Sequence, residues 1–103
     1  MSSKSKIKGS NFERSVVNLA KLYFPKWDAK RAYASNGESL GQHREVDVML
    51  SNRNSEIWKV QCKRKAKLPD YLGFTEHVDA VCIKEDRGEI YILMKLADFL
   101  KRG

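Results

Sequence analysis

The sequence is poor in the features that mark membrane-spanning, secreted and fibrous proteins. Its 103 residues include only 2 cysteines and 2 prolines, and its apolar runs are short. We therefore expect no membrane span, and the basic N-terminus lacks the apolar stretch of a signal peptide. Cys62 and Cys82 match no CxxC metal spacing, which predicts two buried, reduced thiols in a cytoplasmic protein. Internal repeats are absent as well.

Positive charge is concentrated in two blocks of the chain. The formal net charge is +7; residues 1–31 hold eight Lys or Arg against two acids, and residues 59–67 hold five against none. Such a field favours an anionic polymer as the partner. A solvated surface is the alternative, and the acidic stretch over residues 32–58 weakens it because a simple phosphate-binding surface would not need those acids.

The order of the predicted elements is that of one mixed α/β domain. Residues 1–9 are predicted to be a flexible basic arm, and residues 10–103 a single domain. A helix is predicted from the N-cap Ser10 to Pro25, because apolar residues recur there at helical spacing. The remaining predicted elements are strands at 27–34, 45–50, 57–63, 78–83 and 89–94, a short helix or turn at 68–74 and a closing helix at 96–100.

Two of the predicted strands carry polar residues that indicate chemistry. Glu45 and Asp47 alternate on the first, and Gln61 and Lys63 on the second, so each pair shares one face. A polar turn is predicted at Ser51-Asn52-Arg53-Asn54-Ser55. If it joins these strands as a hairpin, Asp47, Gln61 and Lys63 converge on one patch. A carboxylate, an amide oxygen and an ammonium can together hold a divalent cation and activate water beside a phosphate. The pattern therefore indicates metal-assisted cleavage of nucleic acid.

Structural alternatives exist for each of these residues. Glu13 lies three residues after Ser10, where a capping box places its acid. Asp47 also fits a solvated acid on an edge strand, and Gln61 and Lys63 fit polar residues on an outer face. The aromatic residues are predicted to fill the core: Tyr23, Trp27, Trp58 and Tyr91.

The joint pattern resembles a known nuclease superfamily. The order Gly9-x-x-x-Glu13-Arg14, then Arg31, Ser35, Asp47 and Gln61-Cys62-Lys63 is similar to that of the PD-(D/E)XK nucleases. Within that superfamily the likeness is to archaeal-type Holliday junction resolvases and small phage-associated endonucleases, and it covers about residues 8–65. The resemblance implies a restriction-endonuclease-like α/β core, in which helices flank a central mixed β-sheet.

The resemblance also implies a role for each matching residue. Glu13, Asp47 and Gln61 would bind Mg²⁺, for which Mn²⁺ can substitute, and the backbone carbonyl of Cys62 would add a ligand. Lys63 would position or activate the attacking water. Contacts to the DNA backbone would come from a set of basic and polar residues: Lys4, Lys6, Lys8, Arg14, Arg31, Ser35, Lys59, Arg64 and Lys65.

The function implied is that of a Mg²⁺-dependent endonuclease, structure-selective on branched DNA such as a four-way junction. It would act as a homodimer in the cytoplasm of a bacterial, archaeal or phage-infected cell. Gln61 stands where the family usually has Glu, and a neutral amide binds Mg²⁺ more weakly; Glu45 is a reserve ligand. Two alternatives stay open: a catalytically inactive DNA-binding module that retains the fold, and a basic RNA-binding protein without a metal site.

Overall fold

Two helices and five strands make up the regular structure. The computed structural model describes residues 3–32 and 37–103, with side chains over 11–32, 38 and 40–103. The elements are α1 (Ser3–Lys21), β1 (Trp27–Arg31), β2 (Val48–Asn52), β3 (Ile57–Val60), β4 (Ala80–Lys84), β5 (Ile90–Met94) and α2 (Leu96–Arg102). Short 3-10 helices lie at Gly37–Leu40 and Asp70–Leu72.

The chain clusters into two compact units. The first runs to Arg64 and the second is Lys65–Arg102, and each is described by itself below. The prediction of one domain over residues 10–103 stays a prediction.

Helix α1 begins well before the predicted N-cap. It starts at Ser3, so it includes residues 3–9 of the predicted arm, and Ser10 lies inside it. The predicted start was wrong because a capping-box pattern can also occur within a helix, and the preceding Ser and Lys residues do not break one. The helix ends at Lys21, and turns lead from there past Pro25 to β1.

The first unit is a three-stranded antiparallel sheet with β2 in the middle. Helix α1 packs on β1 and β2 through Val16, Val17 and Ala20, whose spacing of three and four residues forms one buried stripe. On β2, Val48 and Leu50 alternate onto the covered face and are fully buried. The rest of this core is Trp27, Ala32 and Val46.

The hairpin between β2 and β3 is closed by the side chain of Asn52. Its Oδ1 accepts the backbone N–H groups of Asn54 at 3.0 Å and Glu56 at 3.1 Å. Ser55 has a positive φ of 63°, a conformation that side chains disfavour. The predicted polar turn is thus confirmed, and Asn52 pins the pairing of β2 with β3.

The second unit contains an antiparallel hairpin and a short helix. Strands β4 and β5 pair from Ala80↔Met94 to Lys84↔Ile90, and residues 85–89 join them. In helix α2, Leu100 is fully buried.

The strand pairing differs from the prediction. The described residues form two separate antiparallel sheets, whereas the sequence predicts one central mixed sheet. The short loops at 53–56 and 85–89 allow only antiparallel pairing, because a parallel pair needs a longer crossover. The fold class is therefore mixed α/β, and the restriction-endonuclease-like core stays a prediction.

Two of the predicted core aromatics are not in the core. Trp27 is buried as predicted and Tyr23 is half-buried, but Trp58 and Tyr91 are exposed. Trp58 lies on β3, which is an edge strand of its sheet, and the alternation of apolar residues does not reveal whether a second layer covers a strand face.

Candidate active site

Glu13 is a buried acid on the core-facing side of α1. It precedes Val16, Val17 and Ala20 by three, four and seven residues, so it continues their stripe, and it is only 4% exposed. The capping-box alternative for Glu13 is wrong, because the helix begins at Ser3. A carboxylate on a buried stripe is costly unless charges or hydrogen bonds compensate for its lost hydration.

Arg31 supplies compensating charge. Its Nη1 lies 3.9 Å from Glu13 Oε1, and its side chain is about one-third exposed, with 30% of its surface accessible. Arg31 was predicted to contact DNA. That contact stays a prediction, and the structure places the Arg31 guanidinium close enough to Glu13 for strong electrostatic attraction.

Asp47 lies just before β2, at a break in the regular ladder. Its carbonyl accepts the Ala32 N–H at 2.8 Å on the β1 side, whereas its own N–H donates to the Val60 carbonyl at 2.9 Å on the β3 side. In a regular antiparallel strand both groups of one residue point to the same neighbour. Since Val60 already lies opposite Val48 in the register, Asp47 is an extra residue of the kind found in a β-bulge.

The bulge turns the Asp47 carboxylate inward. Val46, Asp47 and Val48 are all buried in succession, which regular alternation would not allow, and Asp47 is 9% exposed. Its Oδ2 accepts the backbone N–H of Cys62 at 2.7 Å. This short charge-assisted hydrogen bond ties the acid to the segment that follows β3.

The Cys62 thiol lies within electrostatic reach of both buried acids. Burial raises its pKa from 9.0 to about 11, and the charges of Asp47 and then Glu13 add to the rise. Carboxylates act on a thiol in this way only when they are close to it, because they destabilise the thiolate. Glu13 and Asp47, from a helix and a bulge far apart in sequence, therefore converge on one thiol.

Gln61 and Lys63 occupy different surroundings from those predicted. Strand β3 ends at Val60, so both residues follow the strand rather than extend it, and both side chains are exposed. Gln61 lines a shallow pocket together with Glu45 and Lys59. Regular alternation along paired strands predicted that Gln61 and Lys63 share a patch with Asp47. It does not hold here, because the bulge at Asp47 interrupts the alternation just before β2 and β3 ends at Val60.

Glu45 lies with Gln61 rather than with Asp47. Its side chain is 72% exposed, and its backbone N–H donates to His43 Nδ1 at 3.1 Å. Glu45 Oε2 lies 4.0 Å from the same Nδ1. His43 is a pocket residue that the sequence pattern did not single out.

The predicted DNA-contacting residues form an exposed basic set where the structure describes them. The side chains of Arg14, Lys59, Arg64 and Lys65 are exposed. Lys4, Lys6 and Lys8 lie on α1, and their side chains are outside the described ones; Ser35 is outside the described residues altogether. In the first unit, the exposed Lys59 and Arg64 thus flank the Gln61-Cys62-Lys63 segment in the sequence.

No group of three or more His, Cys, Asp or Glu side chains in the described residues is placed to hold a metal ion. The described helices also include none that is both long and apolar enough to cross a bilayer. What the first unit does offer is a pair of buried carboxylates.

Comparison with known proteins adds no assignment. No protein-family model matches the sequence, no curated protein is similar to it, and no solved structure matches its fold. The resemblance to the PD-(D/E)XK nucleases therefore rests on the residues alone.

Proposed function

We propose that this protein is a metal-dependent DNA endonuclease of the PD-(D/E)XK type that cuts branched DNA. One observation carries the proposal: Glu13 and Asp47 are both buried, come from different elements, and act on the same Cys62 thiol. Buried carboxylates are costly to the fold, which favours a functional reason for keeping two of them in one small unit. Exposed cations of the same unit, at Lys59, Lys63 and Arg64 on either side of Cys62 in the sequence, fit an anionic substrate.

The donor set fits Mg²⁺ when the ion keeps part of its water shell. Mg²⁺ in phosphoryl-transfer sites is commonly held by one or two carboxylates, with waters and substrate phosphates as its other ligands. Glu13 and Asp47 would be those carboxylates, and one Asp47 oxygen already accepts the Cys62 N–H. Bound there, the metal would polarise a phosphodiester and lower the pKa of a coordinated water.

The protein's own residues would orient and stabilise the reacting groups. The hydrogen bond from Cys62 N–H fixes the Asp47 carboxylate, and Arg31 holds Glu13 through its charge. Lys63 is exposed beside this segment, where an ammonium can position water and stabilise negative charge that develops on the phosphate. Arg14, Arg64 and Lys65 would hold the DNA backbone.

Substrate and assembly follow from the resemblance. We propose a four-way junction as the preferred DNA and a homodimer as the active form, with two sites making paired nicks inside a cell or infected host.

The test is cleavage of a labelled four-way junction in Mg²⁺ or Mn²⁺. We expect the parent protein to nick the junction, and Asp47→Asn, Glu13→Gln and Lys63→Ala to lower the rate by roughly 10²-fold or more each. Asp86→Asn and Lys95→Ala are matched controls on exposed residues of the second unit and should cut normally. Normal cutting by Asp47→Asn would refute the assignment, and equal cutting of linear duplex would remove only the junction preference.

A second candidate is supported by the position of Gln61. Its neutral amide is exposed and lines a pocket with Glu45 and Lys59. A site with two carboxylates and no third acid suits an inactive DNA-binding module that retains the fold. Tight junction binding by the parent protein, without cutting in either metal, would favour this module. Binding of RNA in preference to DNA would favour the alternative of a basic RNA-binding protein.

A further inference from the structure

The turn that follows α1 displays two large apolar side chains to solvent. Leu22 is 78% exposed and Phe24 is 72% exposed. Both lie in the first unit, a few residues beyond the buried stripe of α1. Leu and Phe side chains that are this exposed and only two residues apart make the turn an apolar point on the surface.

The turn is held in place by its backbone. Tyr23 N–H donates to Ala20 O at 3.0 Å, Phe24 N–H to Lys21 O at 3.1 Å, and Lys26 N–H to Tyr23 O at 2.9 Å. Consecutive hydrogen bonds of this kind fix the backbone of the turn and so the direction in which each side chain leaves it. A partner that contacts Leu22 and Phe24 would therefore meet a preorganised surface, with little ordering entropy left to lose.

The charge around the turn selects the partner. Lys21 and Lys26 flank the two apolar residues and are both exposed, and no Asp or Glu occurs between Arg14 and Trp27. An apolar point between two cations fits a surface whose backbone is anionic and whose interior is apolar. Base-paired DNA has this character, since phosphates border a stack of bases.

We propose that the 22–24 turn inserts Leu22 and Phe24 into a base step of the DNA that the enzyme binds, while Lys21 and Lys26 contact the flanking phosphates. This proposal rests on the proposed function for its ligand. Glu13 and Leu22 are nine residues apart, which is about 13 Å along a helix and about four base-pair steps. The unstacked step would lie roughly that far from the phosphate at the carboxylate site.

Other partners fit the turn less well. An interfacial membrane helix needs an apolar face along its length, but the apolar residues Val16, Val17 and Ala20 of α1 are buried in the core. A stable protein interface needs an apolar centre larger than two side chains.

The test uses a four-way junction that carries 2-aminopurine within four base pairs of its branch point. The protein is added in Ca²⁺, and a denaturing gel checks that the strands stay intact. We expect the parent protein to raise the fluorescence, because insertion unstacks the base. Phe24→Ser should abolish the rise and weaken binding by roughly tenfold, with an unchanged salt dependence because no charge is lost. Phe24→Leu should retain most of the rise.

Controls and contrary outcomes separate this proposal from the nuclease assignment. Tyr71→Ser removes an equally exposed aromatic residue of the second unit and should leave the fluorescence rise intact. Binding or cutting by the parent protein without any rise would overturn the insertion and leave the nuclease standing. No binding at all would overturn both. The parent protein is also tested for adsorption to phosphatidylcholine–phosphatidylglycerol vesicles. If Phe24→Ser abolishes that adsorption and leaves DNA binding unchanged, the base insertion is overturned in favour of a membrane contact.

Discussion

The reactivity of Cys62 reports directly on the two buried acids. In a Cys82→Ser protein, Cys62 is the only thiol, because the sequence has 2 cysteines. A pKa of about 11, raised from 9.0, lowers the thiolate fraction at pH 8 from about one in eleven to about one in a thousand. A more basic thiolate is intrinsically more nucleophilic, and this raises the rate per thiolate by roughly eightfold. The native thiol should thus react at least about tenfold more slowly than the same thiol in the unfolded chain.

The assay is the rate of exchange with a coloured aromatic disulfide, measured at pH 8 in the native protein and again in urea. Asp47→Asn and Glu13→Gln should each speed the native reaction, but less than unfolding does, because burial is the largest cause of the raised pKa. Glu45→Gln, which removes an exposed acid, is the matched control and should change nothing. Native and unfolded rates within twofold of each other would refute the raised pKa, and Asp47→Asn and Glu13→Gln rates equal to that of the parent would refute the placement of Cys62 beside the acids.

The same assay tests metal binding without measuring cleavage. Mg²⁺ held by Glu13 and Asp47 would neutralise their effect on the thiol, so saturating Mg²⁺ should speed the native reaction. The Glu13→Gln/Asp47→Asn double variant should not respond. A rate in the parent protein that does not depend on Mg²⁺ would argue against a metal at these carboxylates.

Four further predictions concern stability and binding. The stability of the fold should fall as the pH rises from 9 to 11, because over that range the unfolded Cys62 thiol loses its proton and the folded one keeps it. Comparing the urea midpoints of the parent and Cys62→Ala proteins across this range isolates the contribution of Cys62. Asp47→Ala should lower the free energy of unfolding by about 1–3 kcal/mol, since the Cys62 N–H loses its acceptor, whereas an Asp47→Asn protein with unchanged urea midpoint would show that an acceptor suffices. Ser55→Gly should raise the free energy of unfolding by about 0.5 kcal/mol, because Gly adopts the φ of 63° without the penalty that a side chain incurs. A drop in the urea midpoint would contradict this. Arg64→Ala should lower the slope of log affinity for DNA against log salt by about 1, as expected for one lost phosphate contact, and Lys84→Ala, on β4, should leave the slope unchanged.

Local patterns predicted the elements of the chain well. The alternation of apolar and polar residues located all five strands to within a few residues, and the polar turn before β3 was placed correctly because Asn52 and its neighbours favour a turn. The start of α1 was missed, because Ser and Lys before Gly9 are compatible with either a helix or an arm.

The candidate site was predicted only in part. Asp47 and Glu13 were singled out by residue type and order, and both are buried in the first unit. Their convergence could not be derived from strand alternation, since it depends on a bulge that turns Asp47 inward and on a helix that continues a buried stripe through Glu13. Gln61 and Lys63 fit the motif by spacing, but their side chains follow the end of β3 and are exposed.

Composition and order by themselves determined the fold class, the basic character and the candidate acids, because these depend on local propensity and on charge that can be counted along the chain. The tertiary structure decided which residues share an environment. A single extra residue at the Asp47 bulge reverses the facing of a side chain, and a hydrogen bond from Cys62 N–H then fixes it. Such long-range backbone geometry leaves no periodic signature, which is why the partners of Asp47 became visible only in the folded chain.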